Sequence, residues 1–221
     1  MTAVLIPALN GASSLGKLIQ GIILYLNPET IIVVDDGSSD GTGEIAARVG
    51  ATVLVHPLNR GKGAALRTGF EYILSSTDCD SVITMDADLQ HDPADAPAFV
   101  AAWKSGSADL ILGSRQRTRS GMPFHRVLSN TITSALVSAR TGVRIKDSQT
   151  GYRLMSRDVL SSLKFEADGY EAETEILIKA ARKGFRIVSV PIATIYAGAP
   201  SHMTHWKTTA QFLHVLLREY E

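Results

Sequence analysis

Short apolar runs alternate with helically spaced segments through the first half of the chain, and this alternation constrains the fold most strongly. The runs are rich in Val, Ile and Leu and end at turn residues, which is typical of buried strands. The predicted strands are Ala3–Pro7, Ile31–Asp35, Thr52–Val55, Ser81–Asp86 and Asp109–Gly113, and the predicted helices are Leu15–Leu26, Gly41–Val49, Gly63–Leu74 and Pro93–Lys104. This order predicts an α/β, Rossmann-like fold, with a mainly parallel sheet and helices on both faces.

The second half of the chain is less regular. Pro191 lies inside its last predicted strand, and because proline cannot donate to a sheet we expect an edge position or a bulge there. Neither a repeat nor a linker is evident, so we expect a single domain over residues 1–221, a length that suits one core. The predicted elements are helices His125–Thr141 and Glu171–Lys183, strands Gly151–Met155 and Arg186–Tyr196, and a terminal helix within Thr204–Glu221.

The charges are balanced overall but unevenly distributed. The chain has 22 basic and 22 acidic residues, and this neutrality argues against bulk nucleic-acid binding. Residues 1–109 carry 13 acids and 6 bases, whereas residues 110–146 carry seven bases and no acid. The acid-free stretch predicts a face that meets an anion, the alternative being an ordinary solvated basic surface.

Two further absences in the sequence bear on the class of protein. Cys79 is the one cysteine, which excludes an intramolecular disulfide framework and a multi-cysteine zinc site. The chain shows neither an apolar run of about 18–20 residues nor a signal-peptide pattern. We therefore expect a cytoplasmic protein.

Parallel sheets of this kind bind ligands beyond the carboxyl ends of their strands, which directs attention to Pro7–Asn10, Asp35–Ser39 and Asp86–Gln90. Asp86 and Asp88 are two residues apart, so in an extended backbone their side chains point to the same side. Two adjacent carboxylates repel unless a cation lies between them, and Mg²⁺ or Mn²⁺ takes oxygen ligands. The alternative is that Asp88 and Asp92 cap the helix that follows.

Two other segments carry a ligand interpretation and a simpler alternative. Asp35 and Asp36 offer carboxylates to a nucleobase or ribose, or else form a turn and helix cap. Residues 59–66 open a helix with two glycines and Lys62, which predicts a diphosphate contact at the helix N-terminus or else an ordinary glycine turn. The spacing in this segment fits neither a Walker A loop nor a GxGxxG fingerprint.

Taken in order, these motifs resemble family 2 glycosyltransferases of the GT-A fold, and within them the dolichol-phosphate or polyprenyl-phosphate mannosyltransferase branch. The resemblance covers most of the chain, from Val4 to about Ser201. The residues that carry it are Ile6–Asn10, Val33–Ser38, Asn59–Gly63, Met85–Pro93, Gly113–Arg115, Arg126, Ser129, Asp147–Arg153 and Val190–Ile192.

The resemblance implies inverting transfer of a hexose, mannose first and glucose next, from GDP-mannose or a UDP-hexose to a polyprenyl phosphate. It also implies site roles. The nucleotide sugar would contact Pro7, Leu9, Asn10, Asp35, Asp36, Lys62, Asp86, Ala87 and Asp88; Asp86, Asp88 and Gln90 would hold Mg²⁺ or Mn²⁺; and Arg115, Arg126, Ser129, Arg153 and His202 would face the acceptor phosphate. Asp147, Asp88 and Arg115 would be the catalytic residues, with Asp147 orienting the acceptor or steadying a developing oxocarbenium ion.

The chain departs from the family pattern at Gly11, where a Glu is common, and at His202, where a Lys is common. Because no membrane span is predicted, a lipid acceptor would require peripheral docking. The candidate surfaces are residues 115–145 with Met122–Phe124, and the tail with Trp206, Phe212 and Leu216, which could equally pack on the core. The alternatives are a soluble or saccharide acceptor, for which Asp147 would be a general base, and a non-catalytic nucleotide-sugar-binding module.

Overall fold

The computed structural model describes residues 1–115, 124–193, 195 and 205–220, and the side chains of 124–126 and 205–208 are outside that description. The predicted roles of Arg126, Phe124, His202, Met122, Pro123 and Trp206 therefore concern side chains outside the described part of the chain. The strands are β1 Thr2–Ala8, β2 Thr30–Asp35, β3 Thr52–Val55, β4 Ser81–Thr84, β5 Leu110–Arg115, β6 Arg153–Ser156 and β7 Ile187–Ile192. The helices are α1 Ala12–Leu26, α2 Thr42–Arg48, α3 Lys62–Ser76, α4 Ala96–Lys104, α5 Phe124–Thr141, α6 Arg157–Ser162, α7 Ala172–Arg182 and α8 His205–Leu217, and a 3₁₀ turn at Pro93–Asp95 precedes α4.

The seven strands form one sheet in the order β3-β2-β1-β4-β6-β5-β7. Strand β6 is antiparallel to both of its neighbours, and the other strand pairs are parallel. The predicted mainly parallel α/β sheet is confirmed. Strand β7 is at the edge of the sheet, as Pro191 predicts.

Apolar residues cover both faces of this sheet. One core packs α3, α5, α7 and α8 against one face, and the other packs α1 and α4 against the opposite face. Gly69 allows α3 to lie directly on β1, because a Cβ at this position would be 2.2 Å from Leu5 Cδ1. The predicted placement of helices on both faces is confirmed.

Beyond shifts of a few residues at the ends of other elements, one strand end and one additional helix differ from the sequence prediction. The strand predicted over Ser81–Asp86 ends at Thr84, and a turn at Ala87–Asp88 follows. Helix α6 was not predicted; the Ser156 side chain caps it by accepting from Val159 N at 3.3 Å. The early end of β4 matters for function, because it changes how the two aspartates after it are presented.

The topology brings several chain segments to one edge of the sheet. Strands β1, β2 and β4 run parallel, so their carboxyl ends lie together. Strand β6 runs the opposite way, which places Arg153, at its amino end, opposite Thr84 in β4 and Leu112 in β5. This edge therefore collects the segments after β1, β2, β4 and β5 and the segment before β6.

Candidate active site

Side-chain hydrogen bonds join the segments that follow β1, β2 and β4. The backbone N–H of Asn10 donates to Ser38 Oγ at 2.9 Å, and the backbone N–H of Ser39 donates to Asn10 Oδ1 at 3.0 Å. Ser14 Oγ donates to the carbonyl of Ala87 at 2.6 Å. The three segments singled out in the sequence thus form one continuous rim.

The segment after β1 presents an apolar surface at this rim. Pro7 is half-buried and Leu9 is 43% exposed. Asn10 has a φ of 51°, a left-handed conformation that asparagine tolerates better than most residues. An exposed leucine above a half-buried proline is suited to lie against a flat ring.

Asp36 is buried, and both of its carboxylate oxygens already accept hydrogen bonds. Oδ1 lies 2.6 Å from His56 Nδ1 and accepts from Arg60 N at 2.9 Å, and Oδ2 accepts from Gly61 N at 2.8 Å. The other His56 ring nitrogen lies 2.9 Å from Thr68 Oγ1. Asp36 therefore fixes the loop before α3, and its partner His56 was not among the predicted site residues.

Asp35 is also buried, and its surroundings agree with the turn interpretation. Its Oδ1 accepts from Ser38 N at 2.9 Å. A Cβ at Gly43 would lie 2.9 Å from Asp35 Oδ2, so this carboxylate packs against the start of α2. Asp35 fixes the loop that carries Ser38 to Asn10.

The N-terminus of α3 does not face a ligand pocket. The backbone N–H groups of Gly63 and Ala64 donate to the carbonyl of Asp168, at 2.7 and 3.3 Å. The preceding N–H groups, those of Arg60 and Gly61, donate to Asp36. The predicted diphosphate contact through these helix-end N–H groups is therefore wrong, because other parts of the chain already accept from them.

Lys62 lies between two carboxylates beneath the rim. Its Nζ is 2.5 Å from Asp86 Oδ1 and 2.9 Å from Glu173 Oε1. Gly151 leaves the necessary space, since a Cβ there would be 2.6–2.8 Å from the Asp86 oxygens and Lys62 Nζ. Burial opposes the charged forms, but the ion pairs outweigh it, raising the pKa of Lys62 and lowering the pKa of Asp86 to about 2.

The Asp86–Gln90 segment is a turn, so the expectation that Asp86 and Asp88 lie in an extended strand is wrong. Asp88 is exposed, and its Oδ1 accepts from Gln90 N at 3.0 Å. Leu89 has a φ of 62°. Asp92, not Asp88, caps the following 3₁₀ turn by accepting from Ala94 N at 2.9 Å. Asp88 is thereby left at the surface of the rim.

The donor set of this turn suits a hard divalent cation. Among the residues that the structure describes, no three His, Cys, Asp or Glu side chains are grouped so as to hold a metal ion by themselves. The turn offers two carboxylates and the amide oxygen of Gln90. Mg²⁺ and Mn²⁺ accept such partial sets, because diphosphate and water oxygens complete their coordination. The residues present fit such an ion.

Across the rim, Arg115 and Asp147 form a two-point ion pair. Arg115 Nε donates to Asp147 Oδ2 at 2.7 Å, and Arg115 Nη2 donates to Oδ1 at 2.9 Å. The Asp147 side chain is 1% exposed and that of Arg115 is 20% exposed. Burial alone would raise the pKa of Asp147, but the Arg115 guanidinium outweighs it and lowers that pKa. Asp147 thus orients the guanidinium of a partly exposed side chain.

Arg153 is fully buried and does not face the rim. Its Nε, Nη1 and Nη2 donate to the carbonyls of Thr150, Glu173 and Ser148, at 2.9, 2.6 and 3.0 Å. All three nitrogens are occupied, so the prediction that Arg153 faces an acceptor phosphate is wrong. It holds the loop that carries Asp147. Ser129, by contrast, is exposed on α5.

The sequence pattern described as Glycosyl transferase family 2 matches residues 3–164 of this chain. The chain belongs to that family. Two of its relatives have names that state an activity. Polyprenol monophosphomannose synthase of Mycolicibacterium smegmatis is 34% identical over 204 residues, and the match covers 86% of this chain and 76% of that protein. UDP-N-acetylglucosamine–dolichyl-phosphate N-acetylglucosaminyltransferase of Methanococcus voltae is 30% identical over 216 residues, and the match covers 87% of this chain and 84% of that protein.

A solved structure agrees with the family assignment. Glucosyl-3-phosphoglycerate synthase of Mycobacterium tuberculosis, crystallised with Mn²⁺, UDP-glucose and phosphoglyceric acid, superposes with a TM-score of 0.77 at 25% identity, covering 98% of this chain and 78% of that one. The fold is therefore GT-A, and the protein is a family 2 glycosyltransferase with polyprenyl-phosphate sugar transferases among its relatives. In the described part of the chain, every helix is too short or too polar to cross a bilayer.

Proposed function

We propose that this family 2 glycosyltransferase transfers a hexose from a nucleotide sugar to a polyprenyl phosphate, with inversion at the anomeric carbon. The observation that carries the proposal is the position of the Arg115–Asp147 pair on the same sheet edge as the Asp86–Gln90 turn. A cation site and a guanidinium on opposite sides of one rim provide for two anionic substrates. The names of the two relatives support a lipid phosphate as the acceptor.

The donor would bind along the β1, β2 and β4 side of the rim. Leu9 and Pro7 offer an apolar wall for the base, and Asn10 is fixed beside them by Ser38 and Ser39. Asp36 contributes by fixing the loop before α3, and Lys62 contributes by holding the carboxylate of Asp86. Asp86, Asp88 and Gln90 would hold Mg²⁺ or Mn²⁺ near Ala87, and that cation supplies charge stabilisation for the departing nucleoside diphosphate.

The acceptor would bind at Arg115, whose planar guanidinium is suited to phosphate oxygens. A phosphate monoester is anionic at neutral pH, so it attacks the anomeric carbon without first losing a proton to a base. One phosphate oxygen–carbon bond forms as the bond from carbon to the diphosphate oxygen breaks. Asp147 is buried with both oxygens on Arg115, which favours positioning of that guanidinium over general-base chemistry.

The outer face of α5 supports a membrane contact for the acceptor side. Residues 127–139 contain no charged side chain, although much of this face is exposed. Leu128, Ile132 and Leu136 recur every four residues and are 49%, 50% and 41% exposed. Helix α5 lies within residues 110–146, a stretch that contains seven basic residues and no acidic residue. An uncharged, partly apolar face in basic surroundings suits an anionic bilayer surface, where the lipid acceptor would reside.

The experiment measures release of nucleoside diphosphate from GDP-mannose, UDP-glucose and UDP-N-acetylglucosamine, each with and without a short polyprenyl phosphate. The proposal predicts acceptor-dependent release with one donor, and a product whose anomeric configuration is opposite to that of the donor. Mannose is the first expectation for the sugar. Nucleotide binding without turnover on any acceptor would instead favour a non-catalytic binding module.

A soluble phosphorylated acceptor is the second candidate, because the solved neighbour was crystallised with phosphoglyceric acid. Arg115 would serve a small phosphate as well as a lipid phosphate. Running 3-phosphoglycerate beside polyprenyl phosphate separates the two. Faster release with 3-phosphoglycerate would assign the site to a soluble acceptor, and the α5 face would then have no substrate role.

A further inference from the structure

The chain leaves the sheet at Asp86, and a histidine side chain accepts the backbone hydrogen bond there. The N–H of Met85 still donates to the carbonyl of Leu5, at 3.1 Å. The next N–H, that of Asp86, donates instead to His91 Nδ1 at 3.1 Å. The imidazole thus supplies a partner for this part-buried backbone N–H at the residue where the turn begins.

The ring of His91 has a fixed orientation. The residue is 6% exposed, and its ring stacks on Tyr152 with centroids 5.0 Å apart at 30°. Tyr152 stacks in turn on Phe99, at 4.4 Å and 22°, and its hydroxyl donates to the carbonyl of Asp92 at 3.2 Å. Since the accepted N–H leaves Nδ1 without a proton, the neutral ring carries its proton on Nε2, which lies 3.8 Å from Asp86 Oδ2.

The turn beyond Asp86 has few other anchors. Leu89 adopts a left-handed conformation with a φ of 62°, which is unfavourable for a side chain of this kind. Asp88 is exposed, and the bond that its carboxylate accepts comes from within the turn itself, from Gln90. Ser14 Oγ holds the carbonyl of Ala87 at 2.6 Å, so the positions of Asp88 and Gln90 depend on that bond and on how the two ends of the turn, Asp86 and His91, are held.

We propose that His91 is a positioning residue for the cation site. Its Nδ1 holds the backbone of Asp86 while Lys62 holds one oxygen of the Asp86 side chain, so that Asp88 and Gln90 are directed toward the same ion. The inference rests on the proposed function, since it takes the 86–90 turn as the cation site. His91 acts through Asp86 and contacts neither substrate. Partners that orient metal ligands in this way typically change metal affinity about 10- to 100-fold when removed.

The test measures Mn²⁺ affinity from the free-ion electron paramagnetic resonance signal, at saturating UDP. We expect His91→Ala to weaken Mn²⁺ binding by at least about 10-fold. His91→Asn should recover much of that loss, because an amide oxygen can accept the Asp86 N–H in place of Nδ1. His214→Ala removes an imidazole from the exposed side of α8 and should leave the affinity unchanged.

Three results would overturn the inference. Mn²⁺ affinity within twofold of the wild type in His91→Ala, with only a lower thermal midpoint, would make the role purely structural. Equal losses in the Asn and Ala variants would exclude the acceptor role. A wild-type protein that binds UDP but no Mn²⁺ would remove the cation site of the proposed function itself, and the positioning role with it.

A measurement on the wild type keeps the inference testable if His91→Ala does not fold. Nitrogen-15 resonance spectra of the metal-free protein report the tautomer of each histidine. We expect His91 to carry its proton on Nε2, with Nδ1 shifted as a hydrogen-bond acceptor. A proton on Nδ1 would contradict the bond from Asp86 and the inference built on it.

Discussion

Arg115 and Asp147 meet through two parallel hydrogen bonds, at 2.7 and 2.9 Å, although 32 residues separate them in the chain. The Asp147 side chain is buried and the Arg115 side chain is partly exposed. Arg153 donates to the carbonyls of Ser148 and Thr150 in the same loop and to that of Glu173 in α7, which ties the loop to this helix. On the acceptor side, Asp147 thus orients the guanidinium of Arg115. Arg153 is buried and holds the loop that carries Asp147.

Replacing Asp147 with asparagine tests the aiming of Arg115. The amide keeps the shape but cannot accept on both atoms, and hydrogen bonds between charged groups contribute about 1.5–3 kcal/mol. We expect kcat/KM for the acceptor to fall roughly 10- to 100-fold, with little change in nucleotide affinity. Asp109→Asn is the matched control, since it breaks a two-point pair with Arg186 at the protein surface. Near-normal turnover in Asp147→Asn would contradict the role.

The same pair predicts how stability depends on pH. Asp147 has a lowered pKa in the folded protein, whereas an unfolded aspartate titrates near about 3.9. Its stabilising contribution is therefore fully present above that value and is lost as the pH falls through the folded pKa. Urea unfolding at pH 7, 5, 4 and 3 should show that the difference in the free energy of unfolding between the wild type and Asp147→Asn becomes smaller below about pH 4. A difference in the free energy of unfolding that stays constant down to pH 3 would contradict the lowered pKa of Asp147.

Arg153→Lys should damage stability before it affects substrate binding. An ammonium cannot reach three carbonyls in fixed directions as a guanidinium does, and each buried acceptor left unpaired costs about 1–3 kcal/mol. We expect a loss of roughly 2–4 kcal/mol in the free energy of unfolding, measured by urea titration. An unchanged unfolding midpoint together with weaker acceptor binding would show that Arg153 contacts the acceptor.

The sheet edge that carries the candidate site was predictable from sequence, whereas the contacts among its residues were not. Aspartates after apolar runs identify strand ends, and the parallel topology brings strand ends together. By contrast, Lys62 meets Glu173, and the α3 N-terminus meets Asp168, across more than 100 residues. The left-handed Leu89, which helps turn the Asp86–Gln90 segment, has no glycine or asparagine to signal it. Local patterns carry neither kind of information.

The α5 face gives a prediction about membranes. A Leu128→Ser, Ile132→Ser double variant removes two half-exposed apolar side chains, each contributing about 1 kcal/mol on burial in lipid. We expect roughly 10- to 30-fold weaker sedimentation with phosphatidylglycerol vesicles. Leu24→Ser, at an exposed site on α1, is the control. Vesicle binding that is unchanged in the double variant, or a wild-type dimer that the double variant dissociates, would assign this face elsewhere.

The most direct test follows labelled sugar from the nucleotide into an organic phase that contains polyprenyl phosphate, with Mn²⁺ present. We expect label in that phase with the wild type and its loss with EDTA. We also expect its loss in Asp88→Ala, which alters an exposed side chain and should leave the unfolding midpoint unchanged. Label that persists with EDTA and in Asp88→Ala, or that enters only a water-soluble product, would contradict metal-held transfer to a lipid phosphate.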